Sequence, residues 1–390
     1  MVIGIVLAAT PGYSETFFRS KIEGLQKKGH RVLLFVQRKD PTFSLCEVRV
    51  APKVYSNRLL QFMAMLAKGI QQIGSLHPVI RFWKLQRKSG SSLAATLKSC
   101  YLNAHILSTS VDWLHFGFAT MALGKEQLPE AIGAKMAVSF RGFDINVYPI
   151  KHPDCYKTLF KKVDKVHSIS NYLLQQAYRL GLSTSVPYQI ITPAVDLQKL
   201  PSHDGPSAKQ WVLATVARLH WIKGLETALK AVQILHQQGC NITYHIIGDG
   251  DRKNRERYQF LVQELGIEGI VVFHGRQSHA ATLAQMAMSS LYVQPSLNEG
   301  FCNAVLEAQG MGLLTVASKV GGLPENIEDE KTGWLVPSNN SEALAQKIRE
   351  VMELPKEVRD KIRMQATHRV QEQFGILAQQ TAFQEFYKEL

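Results

Sequence analysis

The chain has 390 residues, 45% of them hydrophobic, and its 45 Lys and Arg outnumber its 32 Asp and Glu by 13. That length suits two domains, and that apolar content excludes a disordered chain. Nothing approaches the roughly 18–20 consecutive apolar residues of a membrane span, and five scattered cysteines (Cys46, Cys100, Cys155, Cys240, Cys302) without CxxC spacing exclude a disulfide scaffold or zinc knuckle and favour a reducing compartment.

Met1–Ala9 is apolar with no basic residue ahead of it, so Val2–Ala9 reads as a strand and not as a signal peptide. Ser14–Lys28 reads as a helix: Phe17, Ile22 and Leu25 recur near helical spacing and Gly29 stops it. Arg31–Val36 is the next strand. Arg58–Ile73 is helix-like, with Leu59, Phe62, Met63, Leu66, Ile70 and Ile73 along it. Ordinary core packing is the first reading of such a pattern, and a helix lying at a membrane surface is the other. Further strands are predicted at Val111–His115, Lys135–Phe140, Lys165–Ile169 and Tyr188–Ile191. Pro and Gly then cluster in Thr192–Asp196 and Pro201–Pro206, marking a linker with the domain boundary near residue 196.

The second half repeats the rhythm. Strands are predicted at Trp211–Ala217, Thr243–Ile247, Ile270–Phe273, Leu291–Gln294 and Leu314–Ala317. Helices are predicted at Leu225–Gln238, Arg252–Leu265, His279–Met288, Asn303–Gln309 and Ser341–Met352, with a last one at Phe374–Leu390. Strand–helix alternation in both halves predicts two α/β domains, residues 1–196 and 197–373, each a parallel sheet wrapped by helices, with a ligand cleft between them.

The charge is uneven. Residues 1–200 hold 26 Lys/Arg and 11 Asp/Glu, while residues 201–390 hold 19 and 21. No acidic residue lies between Val48 and Val111. Such a face attracts an anionic partner, unless it is only a solvated basic surface.

Three segments carry chemical content. In Asn298–Ala308 a strand gives way to a polar loop and a helix near Asn303. Glu299 would sit on the loop, Glu307 a turn into the helix, and the first helical amides could face a phosphate. A capped helix with two solvated carboxylates would look the same. In Val216–Gly224, Arg218 offers a fork and Lys223 a point charge to a diphosphate, or both are solvated loop cations. In Ala8–Phe18, Gly12 lets the backbone approach a ligand and Ser14 is an N-cap candidate. There is no GxGxxG and no GxxxxGK[ST]. Gly248-Asp-Gly-Asp251 reads as a tight turn and not a metal site. His115 ends a strand and should point to the cleft, with Arg141 and Asp144 as neighbours after the next strand; a structural histidine is the alternative.

Together these motifs resemble the retaining glycosyltransferases of family 4, with a GT-B fold: two Rossmann-like domains facing across a cleft and a C-terminal helix, residues 374–390, crossing back to the N-terminal one. The resemblance runs through Ala217-Arg-Leu with Lys223-Gly, Gly248-Asp-Gly, Glu299-Gly-Phe with Glu307-Ala, Val320–Glu325 and Thr332–Val336. Ser14–Phe17 and Phe140–Asp144 are similar to a subgroup of bacterial exopolysaccharide enzymes. The resemblance implies that the N-terminal domain binds the acceptor and the C-terminal domain a nucleotide-diphosphate sugar, a UDP- or GDP-sugar. Glu307 would hold the ribose, Glu299 the sugar hydroxyls, and Arg218 and Lys223 the diphosphate. Amides of Gly12 and of Phe301, Cys302, Asn303, Ala304 and Val305, after Gly300, would line sugar and phosphate. The backbone at Gly275-Arg276 would meet the base, with Gly248 in the adjoining turn. His115 would lie beside the anomeric centre, and Ser14, Arg141 and Asp144 would belong to the acceptor site. The family often carries a histidine where this chain has Gly117.

The resemblance further implies a metal-independent enzyme, since fixed cations and amides can stabilise phosphate charge. The basic half suits a saccharide or lipid-linked acceptor, at the inner face of the plasma membrane or in the cytoplasm. Another nucleotide-sugar enzyme, such as an epimerase or phosphorylase, is the rival reading. A non-catalytic nucleic-acid binder is a third, but no nucleic-acid motif is recognisable, so a nucleic-acid partner is not expected.

Overall fold

A computed structural model describes residues 1–12, 16–72, 74, 76–203 and 210–388. Ser14 and Glu15 therefore lie outside the described residues, as does Ile73. The chain divides into two compact units: Met1–Ile191 with Gln379–Leu390, and Thr192–Ala378.

Unit 1 is built on a seven-stranded, all-parallel sheet. Its strands are β1 (Val2–Val6), β2 (Arg31–Val36), β3 (Glu47–Val50), β4 (Trp113–Phe116), β5 (Lys135–Phe140), β6 (Lys165–Ser168) and β7 (Tyr188–Ile190), in the order β3-β2-β1-β4-β5-β6-β7. The inner strands read as unbroken apolar runs because helices cover both faces of a parallel sheet. Helix α1 (Thr16–Lys27) turns Phe18, Ile22 and Leu25 into the core with Ile3, Ile5 and Leu34. The C-terminal helix, Ile376–Lys388, adds Phe383, Phe386 and Tyr387 to that same core. Edge strand β3 was not predicted; its four residues alternate charged and apolar and stay largely exposed.

Helices α2 (Arg58–Gln71), α3 (Leu76–Lys88), α4 (Leu93–Leu102) and α5 (Ala104–Leu107) follow β3. Asn57 caps α2, its Oδ1 accepting from the N–H groups of Leu59 and Leu60 at 2.9 and 3.2 Å. No residue of α2 is buried; Leu59 is 70% and Ile70 67% exposed. Core packing therefore does not explain its apolar residues. No helix among the described residues is long and apolar enough to cross a membrane.

Unit 2 carries a six-stranded parallel sheet of β8 (Trp211–Val216), β9 (Ile242–Ile247), β10 (Val271–Gly275), β11 (Leu291–Gln294), β12 (Leu314–Ser318) and β13 (Trp334–Val336), in the order β10-β9-β8-β11-β12-β13. Helices Leu225–Gln237 and Ser341–Glu353 bury Leu229, Val232, Leu344 and Ile348 against Leu213, Ile246 and Val316. The helix Lys356–Gln373 was not predicted. Only Ile362, Ala366 and Val370 of its 18 residues are buried, a stripe too thin to stand out among its charges.

In each sheet the strand order reverses direction once, between β1 and β4 and between β8 and β11. Loops leaving the carboxyl ends on either side of such a point diverge, which opens a crevice there.

Candidate functional site

In unit 2 the loops after β8 and β11 lie side by side at the switch point. The Leu297 N–H donates to the Ile222 carbonyl at 2.8 Å. Gly224, at φ +63°, meets the second loop so closely that a Cβ would stand 2.0 Å from the Pro295 oxygen. This contact aligns the two loops and directs Lys223 onto Glu299: the ammonium pairs with Oε1. Both side chains are mostly shielded from water, at 19% and 10% exposure. Glu299 also accepts from Ser296 Oγ at 3.1 Å and from Gln294 Nε2 at 3.5 Å.

The Glu299 loop is pinned from behind. A Cβ on Gly321, at φ +56°, would lie 2.0 Å from the Glu299 carbonyl oxygen, and one on Gly322 2.1 Å from that of Gly300. Asn326 clasps Cys302 from the same side, accepting its N–H at 3.0 Å and donating to its carbonyl at 3.1 Å. The Cys302 amide is thus spent inside the protein, and its assignment to a ligand does not hold. Phe301 and Cys302 are both 7% exposed. Burial, then the Glu299 carboxylate, pushes the Cys302 thiol up to about 12; the amides of Ala304 and Val305 act in the opposite direction. The thiol stays protonated at neutral pH. Val305 is buried, while Asn303 is exposed at the first turn of the helix Asn303–Gly310.

Glu307, on that helix, accepts from His279 Nε2 at 2.7 Å. His279 opens the helix His279–Ala287, which Ser278 caps. The hydrogen bond to Glu307 raises the imidazole above its ordinary value. The sequence reading passed over His279. Its signal is positional: it is the third residue after Arg276, at the start of a helix leaving the carboxyl end of β10.

Arg218 is exposed on the loop after β8, with no ion-pair partner among the described residues. Gly248, at φ +134°, presses against that loop, where a Cβ would stand 2.0 Å from the Ala217 oxygen. Asp249 Oδ1 accepts from the Gly250 N–H and Asp251 caps the helix Arg252–Glu264, so both serve the turn. Gly275 adopts φ +66° in open space, and Arg276 beside it is exposed. One end of one sheet thus carries Arg218, Lys223, Glu299, Glu307, Gly248 and Gly275.

Unit 1 corrects the remaining expectations. His115 does not face a cleft. It is 0% exposed, hydrogen-bonded to Tyr387 Oη at 2.5 Å and Ser139 Oγ at 2.8 Å, with Lys21 Nζ at 3.1 Å. Ser139 Oγ continues to His167 Nδ1 at 2.7 Å, and His167 Nε2 to the Ile191 carbonyl at 2.9 Å. The C-terminal helix seals the group: the rings of Phe386 and Tyr387 lie 5.4 and 5.7 Å from that of His115. Burial first, then neighbouring cations, holds His115, His167 and Lys21 well below their ordinary values. It is a buried cluster of basic side chains whose charged forms are all disfavoured. The histidine is a core residue because a helix 272 positions away in sequence covers its strand.

Asp144 is likewise internal, at 1% exposure. It accepts from the Ala119 N–H at 3.0 Å and Thr120 Oγ1 at 3.3 Å, tying down the short helix Ala119–Ala122. Burial lifts its carboxyl to about 7 against these hydrogen bonds and the Arg141 charge. Asp144 and Arg141 are electrical neighbours, but Asp144 is not an open contact for an acceptor. Arg141 stacks on Phe17, 3.7 Å from the ring centroid, with Phe18 and Phe118 nearby. Gly12 is exposed, with open space where a side chain would be.

The family model "Glycosyl transferases group 1" matches residues 198–369, which lie within unit 2. The protein assigned as the colanic acid biosynthesis glycosyltransferase WcaL of Salmonella typhimurium is 24% identical over 96% of both chains. Its Escherichia coli counterpart is 29% identical over 60% of this chain and 59% of that protein, so this match spans about three fifths of the relative. The structure of Anabaena HepE in complex with UDP-glucose superposes with a TM-score of 0.75 at 16% identity, covering 100% of both chains. The fold is GT-B.

Proposed function

We propose that the chain transfers a sugar from a nucleotide-diphosphate sugar to an acceptor hydroxyl in the assembly of a polysaccharide or related glycoconjugate, with retention at the anomeric carbon and without a metal ion. The observation that carries this reading is the shielded Lys223–Glu299 pair at the switch point of unit 2. A donor satisfies both partners at once: its diphosphate takes Lys223, and its sugar hydroxyls take Glu299. Arg218, exposed on the same loop, adds a bidentate contact to the phosphates. Fixed cations then stabilise the charge that grows on the leaving diphosphate. Glu307, oriented by His279, accepts from the ribose, and the backbone at Gly275-Arg276 faces the base. Retention rests on the resemblance of the Glu299…Glu307 segment to retaining enzymes. The names of the two WcaL relatives support polysaccharide assembly, and the UDP-glucose bound to HepE supports a UDP-sugar over a GDP-sugar.

Calorimetric titration with UDP, GDP, ADP and their sugars tests the donor reading, and a selective response to one base is expected. Lys223→Ala should lower the turnover number about 10²–10³-fold, the usual cost of removing one transition-state donor. Full transfer activity in both Lys223→Ala and Glu307→Ala would sink the assignment. Incubation with and without free phosphate separates transfer from phosphorolysis or epimerisation.

Unit 1 is the acceptor side in this reading, and its exposed helix α2 rests on an anionic bilayer. Support comes from the exposed Leu59, Phe62, Met63 and Ile70 and from the acid-free stretch between Val48 and Val111. Cosedimentation with vesicles containing phosphatidylglycerol should fall when Phe62 and Met63 become Ser. Unchanged binding would remove the membrane from the account.

A further inference from the structure

The loop that carries Glu299 is gripped at both ends by one short helix, Leu323–Asn326, and the glycine before it. The Gly322 N–H donates to the Glu299 carbonyl at 2.9 Å. At the other end the Asn326 side chain, 0% exposed, binds both the N–H and the carbonyl of Cys302. The shape of the loop therefore depends on what holds the short helix. Four residues close almost no helical hydrogen bonds of their own, and the last carbonyls find no partner within such a helix.

Arg369, on the long helix Lys356–Gln373, supplies that partner. Its Nη1 donates to the Asn326 carbonyl at 2.6 Å and its Nη2 to the Glu325 carbonyl at 2.8 Å. Glu328 Oε1 lies 3.1 Å from its Nε, and the side chain is only 13% exposed. The guanidinium also sits 4.9 Å from the centroid of the Phe374 ring. That ring packs on Phe301 of the Glu299 loop, with centroids 5.8 Å apart. Arg369 thus reaches the loop by two routes, through Asn326 to Cys302 and through Phe374 to Phe301. A planar fork spans two neighbouring carbonyls, which the single point of a lysine ammonium does not.

We propose that Arg369 is a positioning residue for sugar transfer: it touches no substrate, and it fixes the Glu299–Cys302 loop in the form that receives the donor's sugar. This rests on the sugar-transfer reading of the unit 2 site. The loop carries the groups expected at the sugar, whereas Arg218 and Arg276 follow β8 and β10, and Glu307 has its own anchor in His279. The sugar half of the donor should therefore feel Arg369 more than the nucleotide half does.

The test compares Arg369→Lys, Glu328→Gln and Ile348→Val in the full chain, with UDP and UDP-glucose as probes. Arg369→Lys keeps a cation beside Glu328 and loses the fork. Its turnover number with UDP-glucose should fall about 10–100-fold, the scale of a misplaced reacting group, while its Kd for UDP changes less than about twofold. Glu328→Gln removes the charge pair, keeps the fork and should leave both unchanged. Ile348→Val thins a core cluster that neither the Glu299 loop nor the short helix enters, so it lowers the unit 2 melt and should leave turnover and UDP affinity unchanged. A second readout needs no substrate. Cys302, 7% exposed, should react with N-ethylmaleimide about tenfold faster in Arg369→Lys than in Ile348→Val, with the buried Cys100 of unit 1 as the internal reference. Full turnover in Arg369→Lys overturns the proposal, as does an equal loss of UDP and UDP-glucose affinity, or a Cys302 rate that only tracks the melting temperature. A parent chain that neither binds UDP-glucose nor transfers from it would sink the sugar-transfer reading instead, and the Cys302 rates would still decide whether Arg369 holds the loop.

Discussion

Replacing Lys223 with Met strips the Glu299 carboxylate of its cation while the side chain stays only 9% exposed. Breaking a fully buried pair costs about 3–5 kcal/mol, because one charge is left uncompensated. Here the loss is smaller. Ser296 and Gln294 still donate to the carboxylate, and the Lys223 side chain keeps 19% of its exposure. We expect about 2–3 kcal/mol for Lys223→Met on that scale. Glu299→Gln keeps the shape, removes the charge and leaves the ammonium a route to solvent, so about 1–2 kcal/mol is expected. The double variant has no stranded charge and should recover much of the loss, giving a coupling energy of about 1–3 kcal/mol. Differential scanning calorimetry is the assay, since two units need not melt in one transition. At about 2–4 °C per kcal/mol for a unit of this size, Lys223→Met should lower the unit 2 transition by about 4–12 °C. If the two single losses simply add in the double variant, the pair is not what compensates either charge, and the electrostatic account of the site fails.

Other expectations follow from the same structure. His115 and His167 are held uncharged in the folded state, so the stability they confer is present above the ordinary histidine value of about 6.5 and is lost as pH falls towards their depressed folded values. Unit 1 should therefore destabilise steeply below pH 6.5, and the His115→Gln/His167→Gln pair should flatten that slope; an unchanged slope refutes it. His279 is raised by Glu307, so its ring protons should titrate above 6.5 by NMR and return towards that value in Glu307→Gln. Gly321→Ala must hold a positive φ and meets the Glu299 carbonyl, so strain alone should cost about 1–3 kcal/mol. Gly269→Ala, facing open space at an ordinary φ, should stay within about 0.5 kcal/mol of the parent in the same melt.

The strands were legible wherever several apolar residues ran together, because parallel strands buried on both faces demand such runs: Leu291–Gln294 has the predicted bounds, and Trp211–Val216 differs by one residue. Glu47–Val50 lies on an edge with only Val48 half-buried against the core, so little hydrophobic demand marks it. The loops of the unit 2 site were legible because Lys223 and Glu299 sit on loops that leave strand ends, and strand ends can be read locally. His115 misled for the same reason. It too ends a strand, but what decides its environment is Tyr387, and no local pattern reveals a helix arriving from the far end of the chain. The His279–Glu307 bond joins two helices across 28 residues and was invisible likewise.

The resemblance sets Gly117 against a position that is often histidine, and the surroundings of Gly117 oppose such a side chain. A Cβ there would lie 2.4 Å from Leu7 Cδ2 and 2.8 Å from the end of the Phe18 ring. Phe18 is packed in the core, whereas Leu7 also borders a cavity and is the neighbour with room to yield. A histidine at this position therefore needs room made at Leu7 or Phe18. Gly117→His should therefore be better tolerated beside Leu7→Ala than alone.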